Sequence, residues 1–278
     1  VQWVPAFDLA IALRVDAFSL VMILLVSGIG LLVCAYALGY FSYPKPGTGR
    51  LAGLMTLFAG AMLGVVTSDH LLALFVFWEL TSVTSYLLIG NSDKDRAARD
   101  AALSAILITG LGGLVMLAGL VLIGQAAGTY RLSELVVDVP SGTSVTVGVL
   151  LVLVGAFTKS AQVPFSSWLP GAMVAPTPVS TYLHSATMVK AGVYLIARFA
   201  PAFAEQPPWR PLVLGVGLIT MISGGYRALR QYDLKRILAF GTVSQLGFLV
   251  VLLGVGSPEA TAAGVAVLLA HEIGRAHV

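Results

Sequence analysis

The chain has 278 residues, of which 58% are hydrophobic and only 10% are charged. Soluble proteins average roughly 45–50% apolar and about 25% charged residues, so this composition excludes a water-soluble domain and predicts a polytopic membrane protein. The net charge of +3 is not gathered into a basic stripe, which argues against nucleic-acid binding. The single cysteine, Cys34, excludes an intrachain disulfide framework.

Apolar runs long enough to cross a bilayer as helices recur along the whole chain. About 20 apolar residues span a hydrocarbon core in helical form. The runs are continuously apolar and do not alternate, which argues against barrel strands. They predict an all-α bundle of about eight to nine transmembrane helices, with the last run cut short: 17–41, 51–68, 71–90, 101–124, 145–163, 179–197, 211–226, 237–256 and 260–271.

Lysine and arginine are unevenly distributed between the loops that join these runs. The odd-numbered loops carry Lys45, Arg50, Lys94, Arg96, Arg99, Arg227, Arg230, Lys235 and Arg236, whereas the opposite side carries Arg14, Arg131, Arg198 and Arg210. Short loops rich in lysine and arginine stay in the cytoplasm. The sequence therefore predicts a cytoplasmic face at the odd-numbered loops.

The connection 164–178 reads PFSSWLPGAMVAPTP and contains four prolines and no charge. Proline removes a backbone donor and clashes with the preceding helical turn. We therefore predict a proline-broken helix near 159–170, with Pro164 at the break, because so apolar a stretch does not suit an aqueous loop and irregular backbone at membrane depth must face protein or water. A proline-rich elbow at the membrane interface is the alternative.

Four ionisable side chains lie inside the predicted spans: Glu79 in the third, Lys159 late in the fifth, and His184 and Lys190 in the sixth. Each charge at mid-bilayer costs at least about 2.5–3.5 kcal/mol, so such residues are retained mainly where they pair, lose their charge or move protons. Together they predict a proton relay. The alternatives are snorkelling lysines, a structural ion pair for Glu79 and an interhelical hydrogen bond for His184.

The sixth span places small and polar residues on one side of a continuous helix. Ser180, His184 and Thr187 follow helical spacing, and Thr187 lies three residues from both His184 and Lys190, so its hydroxyl is placed to bridge them. We therefore assign Ser180, Thr187 and Pro164 as supports of the relay. No zinc spacing, nucleotide fingerprint or nucleophile elbow is present, so no cofactor, metal or catalytic residue is predicted.

Four long motifs resemble one family of membrane proteins. They are FWELTSVTSYLLIG (77–90), TKSAQVPFSSWLPGAM (158–173), APTPVSTYLHSATMVKAGVYLIARF (175–199) and DLKRILAFGTVSQLG (233–247). In this order they resemble the antiporter-like, proton-translocating membrane subunits. That family includes the large subunit of Mrp-type multisubunit Na⁺/H⁺ antiporters and the proton-pumping subunits of respiratory complex I. The stretches LHSATMVKAG and GAMLGVVTSDH resemble the Mrp-type subunit more.

The resemblance implies roles for the matching residues. Glu79 would be a membrane-embedded glutamate that modulates a lysine, Lys159 that lysine, and His184 part of the polar chain leading from it. His271 would be the histidine of a later broken helix, although the lysine expected one turn after it is replaced by the ending EIGRAHV. We therefore expect residues 1–271 to be a partial antiporter-like domain, incomplete at both ends, and 272–278 to be a non-native tail.

The resemblance also implies a function. We expect part of an ion transporter and not an enzyme, located in the plasma membrane of a prokaryote, that moves H⁺ in exchange for Na⁺ together with other membrane subunits. A proton-pumping subunit of complex I or of a membrane-bound hydrogenase is the first alternative. A non-conducting membrane scaffold is the second, and it predicts that Glu79, Lys159 and His184 point in unrelated directions.

Overall fold

A computed structural model describes residues 2–4, 9–41, 47–92, 94–184 and 187–276. Within them the chain forms the predicted all-α bundle, with one small antiparallel hairpin of β1 (Gln2–Val4) and β2 (Leu9–Ala10). Lys45, which contributed to the predicted orientation, lies outside the described residues. The helices are α1 (Ala17–Tyr40), α2 (Thr48–Thr67), α3 (Leu71–Ile89), α4 (Arg96–Ala127), α5 (Leu132–Leu135), α6 (Thr143–Lys159), α7 (Trp168–Gly171), α8 (Thr177–His184), α9 (Met188–Phe203), α10 (Trp209–Ala228), α11 (Leu234–Gly254) and α12 (Pro258–Ala276).

Six helices in the described part of the chain are long and apolar enough to cross a membrane, namely α1, α2, α3, α4, α10 and α11. The shorter apolar helix α6 has 17 residues and corresponds to the fifth predicted span. Helices α8 and α9 together occupy the sixth span, and α12 (Pro258–Ala276) includes the ninth predicted span, 260–271. The predicted spans therefore map onto the observed helices in order.

Aspartates at the ends of the apolar runs set where several helices begin. Asp16, Asp95 and Asp233 precede α1, α4 and α11, and each side chain accepts a hydrogen bond from a backbone N–H of the first turn at 2.9 Å. Such N-caps satisfy donors that the helix itself leaves unpaired. Helix α4 consequently begins at Arg96, five residues before the start predicted from hydropathy alone.

The proline-broken helix predicted near 159–170 is present. Helix α6 ends at Lys159, and the chain continues through a short 3₁₀ turn (Phe165–Ser167) preceded by Pro164, then α7 and a second 3₁₀ turn (Ala172–Val174). Trp168 and Leu169 are at most 1% exposed. The side chains of Trp168 and Leu169 therefore pack inside the bundle, whereas Pro164, Ser167 and Gly171 are exposed, so the segment has a buried side and also the exposed side that a proline-rich elbow predicts.

The sixth predicted span is not one continuous helix, and that part of the sequence interpretation is wrong. Helix α8 is described as far as His184 and α9 begins at Met188, with Thr187 at φ −128° and ψ −89°, outside the helical region. The spacing argument that placed Ser180, His184 and Thr187 on one helical face therefore fails at Thr187. The apolar run conceals the break because hydropathy does not report backbone conformation.

An ion pair joins α1 to α9 at the end of the bundle opposite the odd-numbered loops. The Arg198 guanidinium donates to both carboxylate oxygens of Asp16, with Nη2 2.9 Å from Oδ1, and also to the hydroxyls of Ser19 and Tyr194. Those two hydroxyls each donate to the carbonyl of Val66 on α2 at 2.8 Å. One guanidinium therefore fixes three helices relative to each other.

This network gives a pH-dependent contribution to stability. Partial burial raises the pKa of Asp16, but the hydrogen bonds and charge of Arg198 and the hydrogen bonds of Ser19 lower it more, to about 2 from its usual value of 3.8. A carboxyl whose pKa is lower in the folded state stabilises that state above its unfolded pKa, and this contribution disappears as the pH falls toward the folded pKa.

We expect Asp16→Asn to lower the melting temperature of the detergent-solubilised protein near neutral pH. The expected loss in the free energy of unfolding is about 1 kcal/mol, because the pair is partly exposed to solvent. The difference from wild type should shrink as the pH falls from 3.8 toward about 2. A melting-temperature difference that stays constant over this range would contradict the assignment.

Candidate functional site

Lys159 occupies the last turn of α6, and its side chain reaches across to α3. Its Nζ donates to the backbone carbonyl of Trp78 at 2.9 Å and to Oγ of Ser82 at 2.6 Å, and it lies 5.0 Å from the centre of the Trp78 ring. The side chain is fully buried. A buried ammonium needs hydrogen-bond acceptors in place of water, and both of these come from the helix that carries Glu79.

Glu79 follows Trp78 directly in α3, and its carboxylate packs against α4. A Cβ added to Gly113 would lie only 1.9 Å from Oε1 of Glu79, so the absence of a side chain there creates the space for the carboxylate. Within the described part of the chain, Oε1 of Glu79 has no hydrogen-bond partner and the carboxylate makes no direct salt bridge. Glu79 and Lys159 interact electrostatically but are not in contact in this conformation.

Helix α4 also lies close to α6 next to the lysine. A Cβ on Gly112 would fall 1.9 Å from the hydroxyl oxygen of Thr158, and one on Gly155 would fall 2.9 Å from the carbonyl of Gly112. Small residues allow helix backbones in membranes to approach closely. The glycines of α4 therefore set the spacing between α3, which carries the acid, and α6, which carries the amine.

Trp168 lies between the end of α6 and His184. Its indole Nε1 donates to the carbonyl of Thr158 at 3.0 Å, and its ring centre is 6.0 Å from that of His184 at an interplanar angle of 48°. Trp168 is 1% exposed and His184 is 3% exposed. The broken segment after Lys159 thus brings an aromatic ring close to His184, the last described residue of α8.

Lys190 and His271 form a second cluster of buried ionisable groups. Lys190 is fully buried in α9, and its Nζ lies 3.0 Å from Nδ1 of His271 on α12. The same Nζ forms a salt bridge of 3.1 Å with Oε1 of Glu272. Lys159 and Lys190 are both 0% exposed, so neither ammonium snorkels to the surface of the described bundle. Glu272 is the first residue of the segment 272–278, which the sequence predicts to be a non-native tail.

The residues predicted to support the relay mostly bond locally. The Ser180 hydroxyl donates to the carbonyl of Pro176 at 3.1 Å, within its own helical turn. The Thr187 hydroxyl donates to the carbonyl of Tyr182 at 2.5 Å, so the predicted bridge from His184 to Lys190 is replaced by a bond across the helix break. Pro164 precedes the 3₁₀ turn and has no polar side chain to contribute.

Sequence reasoning missed Ser82, Trp168 and Gly113 as parts of the site. Ser82 lies three residues after Glu79 and therefore on the same side of α3, a signal that was available from spacing. Gly113 belongs to the glycine-rich run of α4. That run indicates close helix packing, but it does not indicate which side chain packs against Gly113. No sequence signal places Trp168 beside His184, because its position depends on the break after α6.

The described residues contain no cluster of three or more His, Cys, Asp or Glu suited to a metal ion.

Two family descriptions match this sequence. Residues 68–278 match the NADH:quinone oxidoreductase/Mrp antiporter transmembrane family. Residues 2–50 match the family described as the N-terminus of chain 5 of NADH-ubiquinone oxidoreductase, complex I. Together these matches include every helix from α1 to α12 except part of α2.

Two similar proteins are much longer than this chain. A protein of Rhizobium meliloti, described as a probable K⁺/H⁺ antiporter subunit, is 48% identical over 98% of this chain. A protein of Alkalihalophilus pseudofirmus, described as an Na⁺/H⁺ antiporter subunit, is 48% identical over 92% of it. The chain spans 27% and 32% of the lengths of these two relatives.

A solved structure has the same fold. It is the Mrp complex from Dietzia sp. DQ12-45-1b, which contains a chain that matches with a TM-score of 0.95 and 42% sequence identity. The match covers 99% of this chain and 30% of that one.

The contact between Gly113 and Glu79 allows a direct test of the site geometry. We expect Gly113→Ala to destabilise the full-length subunit by about 1–3 kcal/mol, because the new methyl group overlaps the carboxylate. The matched control is Gly110→Ala, whose Cβ would lie 4.0 Å from Oε2 of Glu79, an ordinary contact distance. That control should be neutral or slightly stabilising, since alanine favours helix over glycine.

A double substitution identifies the clashing atoms. If the overlap is with Glu79, Gly113→Ala should cost at least about 1 kcal/mol less in a Glu79→Ala background than in the wild type. The measurement is a thermal or denaturant unfolding series of the four proteins in detergent. Equal costs in both backgrounds would show that Gly113 contacts something other than this carboxylate.

Proposed function

Because the chain belongs to the NADH:quinone oxidoreductase/Mrp antiporter transmembrane family, we propose that it is the proton-conducting part of a multisubunit cation/proton antiporter. It is an ion-transporter segment and not an enzyme, and it works in the plasma membrane of a prokaryote together with further membrane subunits. The observation that carries this proposal is the fully buried ammonium of Lys159, held by α3 within one residue of the embedded Glu79.

The first step of the proposed mechanism is proton binding at Lys159. When the Glu79 carboxylate approaches, it stabilises the protonated amine, because opposite charges in a low-dielectric interior attract strongly. When the two separate, the isolated charge becomes costly and the proton leaves. The structure supports this step with a pair whose members interact without contact, so small displacements of α3 or α6 change their attraction.

The proton then passes toward the second cluster. The proposed route runs along the break after α6 and past Trp168 to His184, and then to Lys190 and His271. Histidine suits such a step because its unperturbed pKa lies near neutrality. The indole of Trp168 donates hydrogen bonds but does not accept a proton, so we propose that it shapes the route and that ordered water carries the proton past it.

The exchanged ion is a monovalent cation, and we propose Na⁺. The names of the two relatives differ on this point, because one specifies K⁺ and the other Na⁺. No cluster of carboxylates in the described residues forms an evident cation site. We therefore propose that the residues that select the cation lie in other parts of the complex.

A second candidate function follows from the family description. It includes NADH:quinone oxidoreductase, and residues 2–50 match chain 5 of that enzyme. In that assembly, or in a membrane-bound hydrogenase, electron transfer in other subunits would drive the same proton route. The two candidates differ in what powers the protons and not in the residues that carry them.

The proposal predicts that Glu79→Gln and Lys159→Ala impair transport by the complete antiporter complex. Each should lower proton-coupled cation exchange by more than about tenfold, because a missing relay group adds at least about 1.4 kcal/mol to the barrier. The measurement is Na⁺-dependent proton movement in inverted vesicles that contain the complex.

The matched control for these variants is Arg96→Gln. Arg96 and its partner Asp100 are 88% and 69% exposed, so this charge lies outside the proposed route. Its variant should keep most of the exchange activity. If Glu79→Gln and Lys159→Ala assemble normally and exchange cations at the wild-type rate, the proposed roles are wrong.

Cation selectivity gives a separate prediction. Exchange by the complete complex should be supported by Na⁺ at lower concentrations than by K⁺, and Glu79→Gln should reduce the rate with both ions without changing their order. A change in the preferred ion caused by Glu79→Gln would place this carboxylate in the cation site instead of the proton route. The readout is the ion concentration that gives half-maximal exchange.

A further inference from the structure

A cavity of about 520 Å³ opens at the end of the bundle where three odd-numbered loops meet. Its walls come from the start of α4, from the broken segment around α7, and from the start of α11. The sequence predicts that these three loops share one face of the membrane, and the cavity brings them together. That face is the predicted cytoplasmic one.

Two cations line this cavity. They are Lys235, which is partly exposed, and Arg236, which is exposed, both in the first turn of α11. Lys235 has only a long contact of 3.4 Å with the carbonyl of Ala175. Within the described residues, neither Lys235 nor Arg236 forms a salt bridge.

One carboxylate, Asp233, also lines the cavity. Its Oδ1 accepts the backbone N–H of Arg236 at 2.9 Å and so caps α11. With two cations and one carboxylate, the cavity remains positively charged. It therefore favours an anionic occupant.

The remaining walls are apolar. Met173 and Val174 follow α7, and Ala97 and Ala101 lie on α4. Near the start of α11 in the sequence, Leu229, Tyr232 and Leu234 are 87%, 104% and 64% exposed. Exposed tyrosine and leucine next to lysine and arginine are typical of a helix end that lies at the boundary between headgroups and hydrocarbon. The site thus combines a cationic rim with an apolar wall.

We propose that this cavity binds an anionic phospholipid of the inner leaflet. Its phosphate lies against Lys235 and Arg236, and its acyl chains lie along Met173, Val174 and Ala101. Basic pockets between transmembrane helices on the cytoplasmic side are suited to such headgroups, because that leaflet carries a negative surface potential. The combined charge and apolar character fit a lipid better than a free phosphate, which would leave the apolar walls uncovered.

The position of the cavity gives the lipid a structural role. The segment Phe165–Val174 follows Lys159 closely, and its last residues form one wall. A lipid that bridges this wall to α11 holds the broken segment against the bundle. This role is independent of which ion the complex exchanges.

The test is lipid binding by the purified full-length complex. A fluorescent phosphatidylglycerol is titrated against the complex in phosphatidylcholine nanodiscs, with fluorescent phosphatidylcholine as the neutral probe. We expect Lys235→Gln combined with Arg236→Gln to weaken phosphatidylglycerol binding by roughly tenfold or more. The matched control is Arg227→Gln combined with Arg230→Gln, which removes two charges from the same loop outside the cavity and should change binding by less than about threefold.

A second variant leaves the charges intact. Gly171→Phe adds a ring at a residue that lines the cavity, and the ring has room there because a Cβ at Gly171 meets nothing within 4 Å. It should also weaken phosphatidylglycerol binding by about tenfold, because the ring occupies the space of an acyl chain.

Three results would overturn the proposal. Equal losses in the cavity and control pairs would show diffuse attraction of lipid to the basic face. Equal binding of the neutral probe would show that the cations do not select the headgroup. Release of another subunit by the cavity variants, with lipid binding unchanged, would show that a protein occupies the cavity.

Discussion

The arrangement of the bundle depends on the need to provide acceptors for one buried ammonium. Lys159 lies at the end of α6, fully buried, and its Nζ bonds to a carbonyl and a hydroxyl of α3. The lysine side chain reaches from α6 to α3, and the glycines of α4 let that helix pack closely against Glu79 of α3 and Thr158 of α6. A charge that cannot reach water is therefore accommodated by acceptors on α3 and by small residues on α4, which packs against both α3 and α6.

The acid beside this lysine is placed differently. Glu79 lies in the space over Gly113, with one carboxylate oxygen that has no hydrogen-bond partner among the described residues. An unpaired buried polar atom is costly, so such a position persists only when the surrounding structure fixes it. The lysine is held by several bonds, whereas the acid is held mainly by packing.

The sequence was sufficient to predict the parts of the structure that follow from hydrophobicity and charge. It predicted the all-α class, the order of the spans and the break after Lys159, because apolar runs, prolines and embedded charges have large energetic consequences. It also identified Glu79, Lys159 and Lys190 as unusual. The contact between Lys190 and His271 joins residues 81 positions apart, and only the packing of α9 against α12 brings them together.

Features that depend on local backbone geometry could not be predicted. The run around Thr187 contains neither proline nor glycine, so nothing in its composition indicates that the helix is interrupted there. Arg198 reads as an ordinary loop charge in the sequence, because its partner Asp16 lies 182 positions earlier in the chain. Trp168 comes close to His184 only through the short helices of the broken segment. Each of these is a property of the folded arrangement and not of any single stretch of sequence.

The two helix breaks are joined by a direct bond. Ser160, the first residue after α6, donates its hydroxyl to the carbonyl of Val189 at 2.8 Å, just inside α9. Gly192 lies so close to α6 that a Cβ there would fall 2.2 Å from the carbonyl of Ala156. The end of α6 is therefore packed directly against the start of α9. The end of α6 that carries Lys159 and the start of α9 that carries Lys190 are thus joined by a hydrogen bond and by close backbone packing.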